Sequence, residues 1–184
     1  FSREALSLYR QTGEVFVDAA GKAKLVQSTL PTLTFGLRFL DADFDGYQDL
    51  ILANGHIEPE INSVQKEITY QQTSQLFWNS GSGRMVDISE DSGPFFLEEI
   101  VARGLSAGDV DGDGDLDVLM TTNGGSAYLL RNDGPTGKAI AIKLRSQGGN
   151  KRAIGALVSV TSRERTQTQM VRTGSSYLSH SPLE

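Results

Sequence analysis

Two nine-residue windows hold the side chains best suited to chemistry, DADFDGYQD (41–49) and DVDGDGDLD (109–117). Each sets carboxylates at positions 1, 3 and 5, glycine at position 6 and a further carboxylate at position 9. Carboxylates at alternate positions converge on one point if the backbone curls tightly, and glycine at position 6 permits that curl, as it does in the EF-hand loop. The carbonyl of position 7 can turn inward as another oxygen. One candidate shell is therefore Asp41, Asp43, Asp45, the Tyr47 carbonyl and Asp49; the other is Asp109, Asp111, Asp113, the Asp115 carbonyl and Asp117. A shell of hard oxygens suits Ca²⁺, whereas Mg²⁺ demands a tighter octahedron and more water. Asp-Gly pairs also make hairpin turns that need no metal. Against that bland reading, nine of the 23 acidic residues fall in these two windows, and carboxylates a few ångströms apart repel strongly. A sequence that does this twice at matched positions calls for a cation. The loops are not EF-hands, because position 12 is Leu52 or Met120 instead of a bidentate glutamate. Two structural Ca²⁺ ions are expected, each fixing a turn between strands and contributing to folding energy.

Strands must present these loops. Residues 34–54 align on 102–122 at an offset of 68, matching Gly36 with Gly104, and Asp41, Asp43, Asp45, Gly46 and Asp49 with their counterparts. Downstream of each, SQLFWNSGSGRMVDIS (74–89) resembles SAYLLRNDGPTGKAIAI (126–142), and LSLYRQTGEVFVDAAG (6–21) reads as a third copy of that downstream half. Repeats of this size built of short strands suggest propeller blades. Phe35, Leu37 and Phe39 alternate as a half-buried strand does. LILA and DVLM, directly after the acidic loops, suit strands buried on both faces. The insertion 56–71 has Ile57, Ile61, Val64 and Ile68 at helical spacing with Pro59 near the start, which predicts a short amphipathic helix near 58–69.

The 184 residues are 38% apolar and 22% charged, enough for an ordinary core. The chain begins with Phe and its opening residues lack the basic-then-apolar order of a signal peptide, so it reads as a mature or truncated piece. No apolar run is long enough to cross a bilayer as a helix. The absence of cysteine excludes disulfides and thiolate chemistry. Residues 1–137 carry 21 acidic and 9 basic residues, whereas 138–184 carry 2 and 8. That split argues for two units, 1–137 and 138–184. The acidic excess disfavours nucleic acid. In the basic tail (Lys138, Lys143, Arg145, Lys151, Arg152, Arg163, Arg165, Arg172) the one aromatic is Tyr177, so base stacking is missing too. Docking of this face on the acidic part, or on an anionic glycan or protein, is the expectation. His56 and His180 have no nucleophile elbow near them and are read as turn or surface residues. Carboxylates crowded on one cation all stay ionised, which does not suit a hydrolytic acid/base pair.

The pattern Phe35-Gly36, DxDxDGxxD, apolar strand, then LFWN or LLRN resembles the FG-GAP/VCBS repeat of integrin-type β-propellers. Residues 150–162 and 170–181 resemble the ASPIC/UnbV domain, which follows such repeats in proteins similar to cartilage acidic protein and its bacterial relatives. The second repeat departs from the pattern with Arg103 in place of Phe. The resemblance implies an all-β fold, with about two and a half propeller blades and then part of a β-rich ASPIC/UnbV domain. It implies a calcium-binding, non-catalytic module for recognition or adhesion outside the cytoplasm: extracellular, periplasmic or at the cell surface. Its partner would be a protein, a carbohydrate or neighbouring subunits. A structural subunit, or part of a propeller enzyme with its catalytic residues elsewhere, are the alternatives.

Overall fold

The computed structural model describes residues 3–134, 139–162 and 165–182. Lys138, Arg163 and the proposed boundary at 137/138 therefore lie outside the described residues. The chain opens with a hairpin, β1 (Tyr9–Thr12) and β2 (Val15–Asp18), and a one-turn helix α1 (Leu25–Thr29). Strands β3 (Thr34–Leu40) and β4 (Asp49–Asn54) follow, then α2 (Ile61–Val64), β5 (Gln72–Thr73), β6 (Gln75–Asn79) and β7 (Met85–Asp87). Two 3₁₀ turns lead to β8 (Glu99–Ile100), β9 (Ala102–Gly108), β10 (Asp117–Thr122) and β11 (Tyr128–Leu130). The last part holds β12 (Leu157–Ser162), β13 (Arg165–Met170), β14 (Gly174–Ser176) and β15 (Ser179–His180).

Two antiparallel blades carry the acidic loops. The first has the order β3-β4-β6-β7 and the second β11-β10-β9. Every sheet among the described residues is open, as in a partial propeller, and the chain is mostly β. The 68-residue offset survives in the register: Leu37 pairs with Leu52, and Leu105 with Met120.

Period-2 alternation sorts each strand between two faces. All six residues of β4 are buried. Ile51 and Ala53 point at the second blade and share a cluster with Leu105, Ala107, Val118 and Met120. Leu50 and Leu52 point the other way, with Phe77, onto Ala20, Ala23 and Leu25 of the α1 region. The segment before β3 thus covers the outer face of the first blade, a role its sequence did not announce.

The second blade departs from expectation. Val118 and Met120 are buried, but Leu119, the counterpart of Ile51, is 45% exposed, and its cross-strand partner Leu129 is 56% exposed. DVLM is therefore buried on one face only, because nothing among the described residues stacks on the far side. The predicted helix near 58–69 shrinks to α2, four residues long. Ile61 and Ile68 bury while Ile57 and Val64 stay exposed, so the helical spacing does not form one apolar stripe.

Glycine sets the distance between blades. A Cβ on Gly36 would lie 2.7 Å from the Arg103 carbonyl oxygen and 2.9 Å from the Leu105 Cβ, so only glycine lets β3 approach β9 this closely. Arg103 does not merely replace a phenylalanine. Its guanidinium lies 4.1 Å from the Phe35 ring centroid and donates to the carbonyls of Gly55, Ala102 and His56. His56 is buried at this corner, where its Nδ1 accepts from the Glu58 N–H at 3.0 Å, a turn role. His180 is exposed.

Candidate metal centres

Both acidic loops join the first strand of a blade to the second, and both are built by the same bonds. Asp49 ends the first loop and is 2% exposed; Asp117 ends the second and is 1% exposed. Asp49 accepts from the N–H groups of Ala42 at 3.0 Å and Asn79 at 2.8 Å. Asp117 does the same with Val110 at 2.8 Å and Asn132 at 3.0 Å. Each position-9 carboxylate thus ties the start of its loop to the end of the third strand, at Asn79 of β6, or just beyond it, at Asn132 after β11. Inside the curl, Asp41 accepts from the Gly46 N–H at 2.9 Å and Asp109 from the Gly114 N–H at 3.2 Å. Positions 3 and 5 each accept from the N–H two residues on: Asp43 from Asp45, Asp45 from Tyr47, Asp111 from Asp113, and Asp113 from Asp115. Such turns occupy one oxygen of each carboxylate and leave the other available to a further partner. Glycine at position 6 is left-handed in both loops, with φ of 82° at Gly46 and 100° at Gly114. Position 4 is left-handed too, as Gly112 in one loop and as Phe44, with φ of 59°, in the other.

Carboxylate oxygens of Asp41, Asp43 and Asp49 lie within 4.8 Å of one another, and so do those of Asp109, Asp111 and Asp117. The structure gathers these six of the ten residues expected from sequence. Asp45 and Asp113 stand outside the tight triplets, with one oxygen each occupied by the turn. Tyr47 puts its ring under the Arg165 guanidinium, 3.8 Å from the ring centroid, and Arg165 Nη1 also donates to the Asp45 carbonyl. The basic hairpin β12–β13 therefore touches the first acidic loop through Arg165. Asp115 is buried as a side chain, beyond the carbonyl role expected of it.

Each loop holds one buried carboxylate oxygen with no hydrogen-bond partner, Asp41 Oδ1 and Asp115 Oδ1. Burial pushes the Asp41 carboxyl up to about 6, opposed by the Gly46 N–H and reinforced by Asp45, Asp43 and Asp49. Burial likewise pushes Asp115 up to about 6, with Asp113 and Asp117 adding to it. Asp49 is raised by burial, although two N–H donors offset part of the effect. An unpaired buried oxygen among converging carboxylates is costly unless a cation or proton neutralises it. An all-oxygen set of this kind fits a hard divalent ion, Ca²⁺ above all.

Sequence reasoning missed the outer partners. Trp78 and Arg131 occupy the same place, just before Asn79 and Asn132. Trp78 Nε1 donates to Asp43 Oδ2 at 2.8 Å, and Arg131 Nη1 lies 4.0 Å from Asp111 Oδ2. An N–H donor thus faces the position-3 carboxylate in both blades. The signal was present in the aligned WN and RN pairs, but a tryptophan and an arginine look like different chemistry until their donors are superposed. Asn132 reaches further, donating through Nδ2 to the Ala42 carbonyl of the first loop at 2.9 Å.

Comparison with known families places residues 59–120 in an FG-GAP-like repeat and residues 101–140 in an FG-GAP repeat. Residues 146–184 match the ASPIC and UnbV family. The second acidic loop lies inside both repeat matches, whereas the first precedes them and is tied to the same type by its matching bonds. No curated protein matches the chain.

Proposed function

The chain carries FG-GAP-type repeats followed by an ASPIC/UnbV segment, and on that premise we propose that both acidic loops bind structural Ca²⁺. The blades then serve as a non-catalytic module that recognises or adheres to a protein or carbohydrate. The observation that carries the calcium reading is the repetition of one bonding pattern around converging carboxylates, with an orphaned buried oxygen inside the triplet of the first loop, Asp41, and beside that of the second, Asp115. Asp41, Asp43 and Asp49 would hold one ion and Asp109, Asp111 and Asp117 the other, with Asp45, Asp113 and the position-7 carbonyls of Tyr47 and Asp115 completing the shells. The ion supplies charge neutralisation that the polypeptide lacks there, and so locks the turn between the first two strands of each blade. Loops of this kind, with Kd on the order of 10⁻⁴–10⁻³ M, suit a calcium-rich setting. An extracellular, periplasmic or cell-surface location follows from that. No helix among the described residues is long and apolar enough to cross a membrane. The reading as a structural subunit is favoured by one feature, the uncovered face at Leu119 and Leu129.

Calcium counting with thermal unfolding, in excess calcium and in chelator, tests the proposal. About two ions per chain are expected, each adding about 2.7 kcal/mol at a hundredfold excess over its Kd. Asp41→Ala and Asp109→Ala should each remove one ion. His56→Ala should destabilise the corner equally with and without calcium. No bound calcium and no chelator effect would overturn the proposal.

A further inference from the structure

Strands β3 and β9 are the first strands of their blades, and among the described residues each pairs on one side only, with β4 and β10. Their other edges carry backbone N–H groups of the kind that another strand can recruit. Residues 174–182 run across both edges. Ser176 Oγ accepts from the Leu37 N–H at 2.9 Å, Ser179 Oγ from the Leu105 N–H at 2.9 Å, and Ser181 Oγ from the Ala107 N–H at 3.1 Å. Leu37 and Leu105 are the same position in two repeats, so one serine segment reads the repeat twice. Tyr177 adds an edge-on contact with Phe35 at 5.1 Å, and Arg38 Nη1 donates to Ser181 Oγ at 2.9 Å.

The manner of attachment is informative. Among the described residues strands β14 and β15 pair with each other alone, and no backbone ladder there joins the segment to a blade. Within it Ser181 is buried, while Leu178 is 89% exposed and Tyr177 43% exposed. The hydroxyls of Ser176, Ser179 and Ser181, and that of Ser106, which donates to the His180 carbonyl at 2.6 Å, hold it, with little apolar burial. A neutral hydrogen bond contributes little net stability in water, and segments held this way open locally while the core stays folded. We infer that the inner edges of β3 and β9 form a docking edge for a serine-bearing hairpin, and that residues 174–182 occupy it as a releasable ligand supplied in cis. Within the ASPIC/UnbV part of the chain, this segment is then an internal partner of the blades. The inference is independent of calcium.

Amide hydrogen exchange on the intact chain tests it. The Leu37, Leu105 and Ala107 amides should be protected, yet exchange at least tenfold faster than that of Leu52, which belongs to the core. Ser179→Ala should speed all three roughly fivefold together, the factor lost with one hydrogen bond, because the segment opens as a unit. Leu178→Ala, in the same segment but pointing into solvent, should leave them unchanged. In the chain bearing Ser176→Ala, Ser179→Ala and Ser181→Ala together, an added synthetic peptide of residues 172–184 should restore protection. The same peptide with the three alanines should not. The inference is overturned if Ser179→Ala affects Leu105 alone or no amide. It is equally overturned if the three amides exchange as slowly as Leu52, or if the serine peptide restores nothing.

Discussion

At the residue scale, each acidic loop is a carboxylate cluster whose members differ in what already satisfies them. Position-9 aspartates have both oxygens bonded to backbone, so they frame the loop; Asp41 and Asp115 keep a bare oxygen in the interior. Trp78 ties this to an optical signal, since it is the one tryptophan and its indole N–H donates to Asp43. Calcium titration followed by tryptophan emission should therefore report the first loop alone, giving one of the two binding steps seen by calcium counting. Trp78→Phe should weaken that step about tenfold, in line with loss of an outer-shell partner, and leave the second unchanged. Equal weakening of both steps would refute this assignment. The aspartates were legible because metal-loop spacing is a local property of sequence. Phe44 was not, since nothing about phenylalanine announces a left-handed backbone; only its alignment with Gly112 does.

At the element scale, the strands and loops could be placed from alternation and repeat, whereas burial could not. Ile51 and Leu119 are equivalent in the repeat, yet one is in the core and the other at the surface, because burial depends on which neighbour stacks there. The spacing of Ile57, Ile61, Val64 and Ile68 predicted a helix that Gln65 ends in an extended conformation. A periodic pattern without a second apolar surface to cover does not sustain helix. Gly36 illustrates a constraint of space alone: its φ is ordinary, but a side chain has nowhere to go. Gly36→Ala should destabilise the chain by about 1–3 kcal/mol through overpacking between β3 and β9. Gly149→Ala, which meets nothing within 4 Å, should be silent. Chemical denaturation of both variants decides the matter, and a silent Gly36→Ala would mean that the blades can slide apart freely.

At the scale of the whole molecule, faces stack in one direction: the α1 segment on the first blade, the first blade on the second, and nothing described beyond it. The exposed pair Leu119 and Leu129 lies where the pattern would set a further layer. In isolation the chain should self-associate through that face. Leu119→Lys should raise the concentration needed for association in analytical ultracentrifugation, while shifting stability by no more than about 0.5 kcal/mol. Association unchanged by the substitution would place the contact elsewhere. The bond from Asn132 to Ala42 has a mechanical consequence. Asp117 holds the Asn132 N–H, the Asn132 amide holds Ala42, and Asp49 holds the Ala42 N–H. The two loops are links in series, so tension that pulls the blades apart runs along a line of polar bonds anchored at both ends by aspartate. Such a line carries load only while both links stay curled, and its strength is that of the weaker loop.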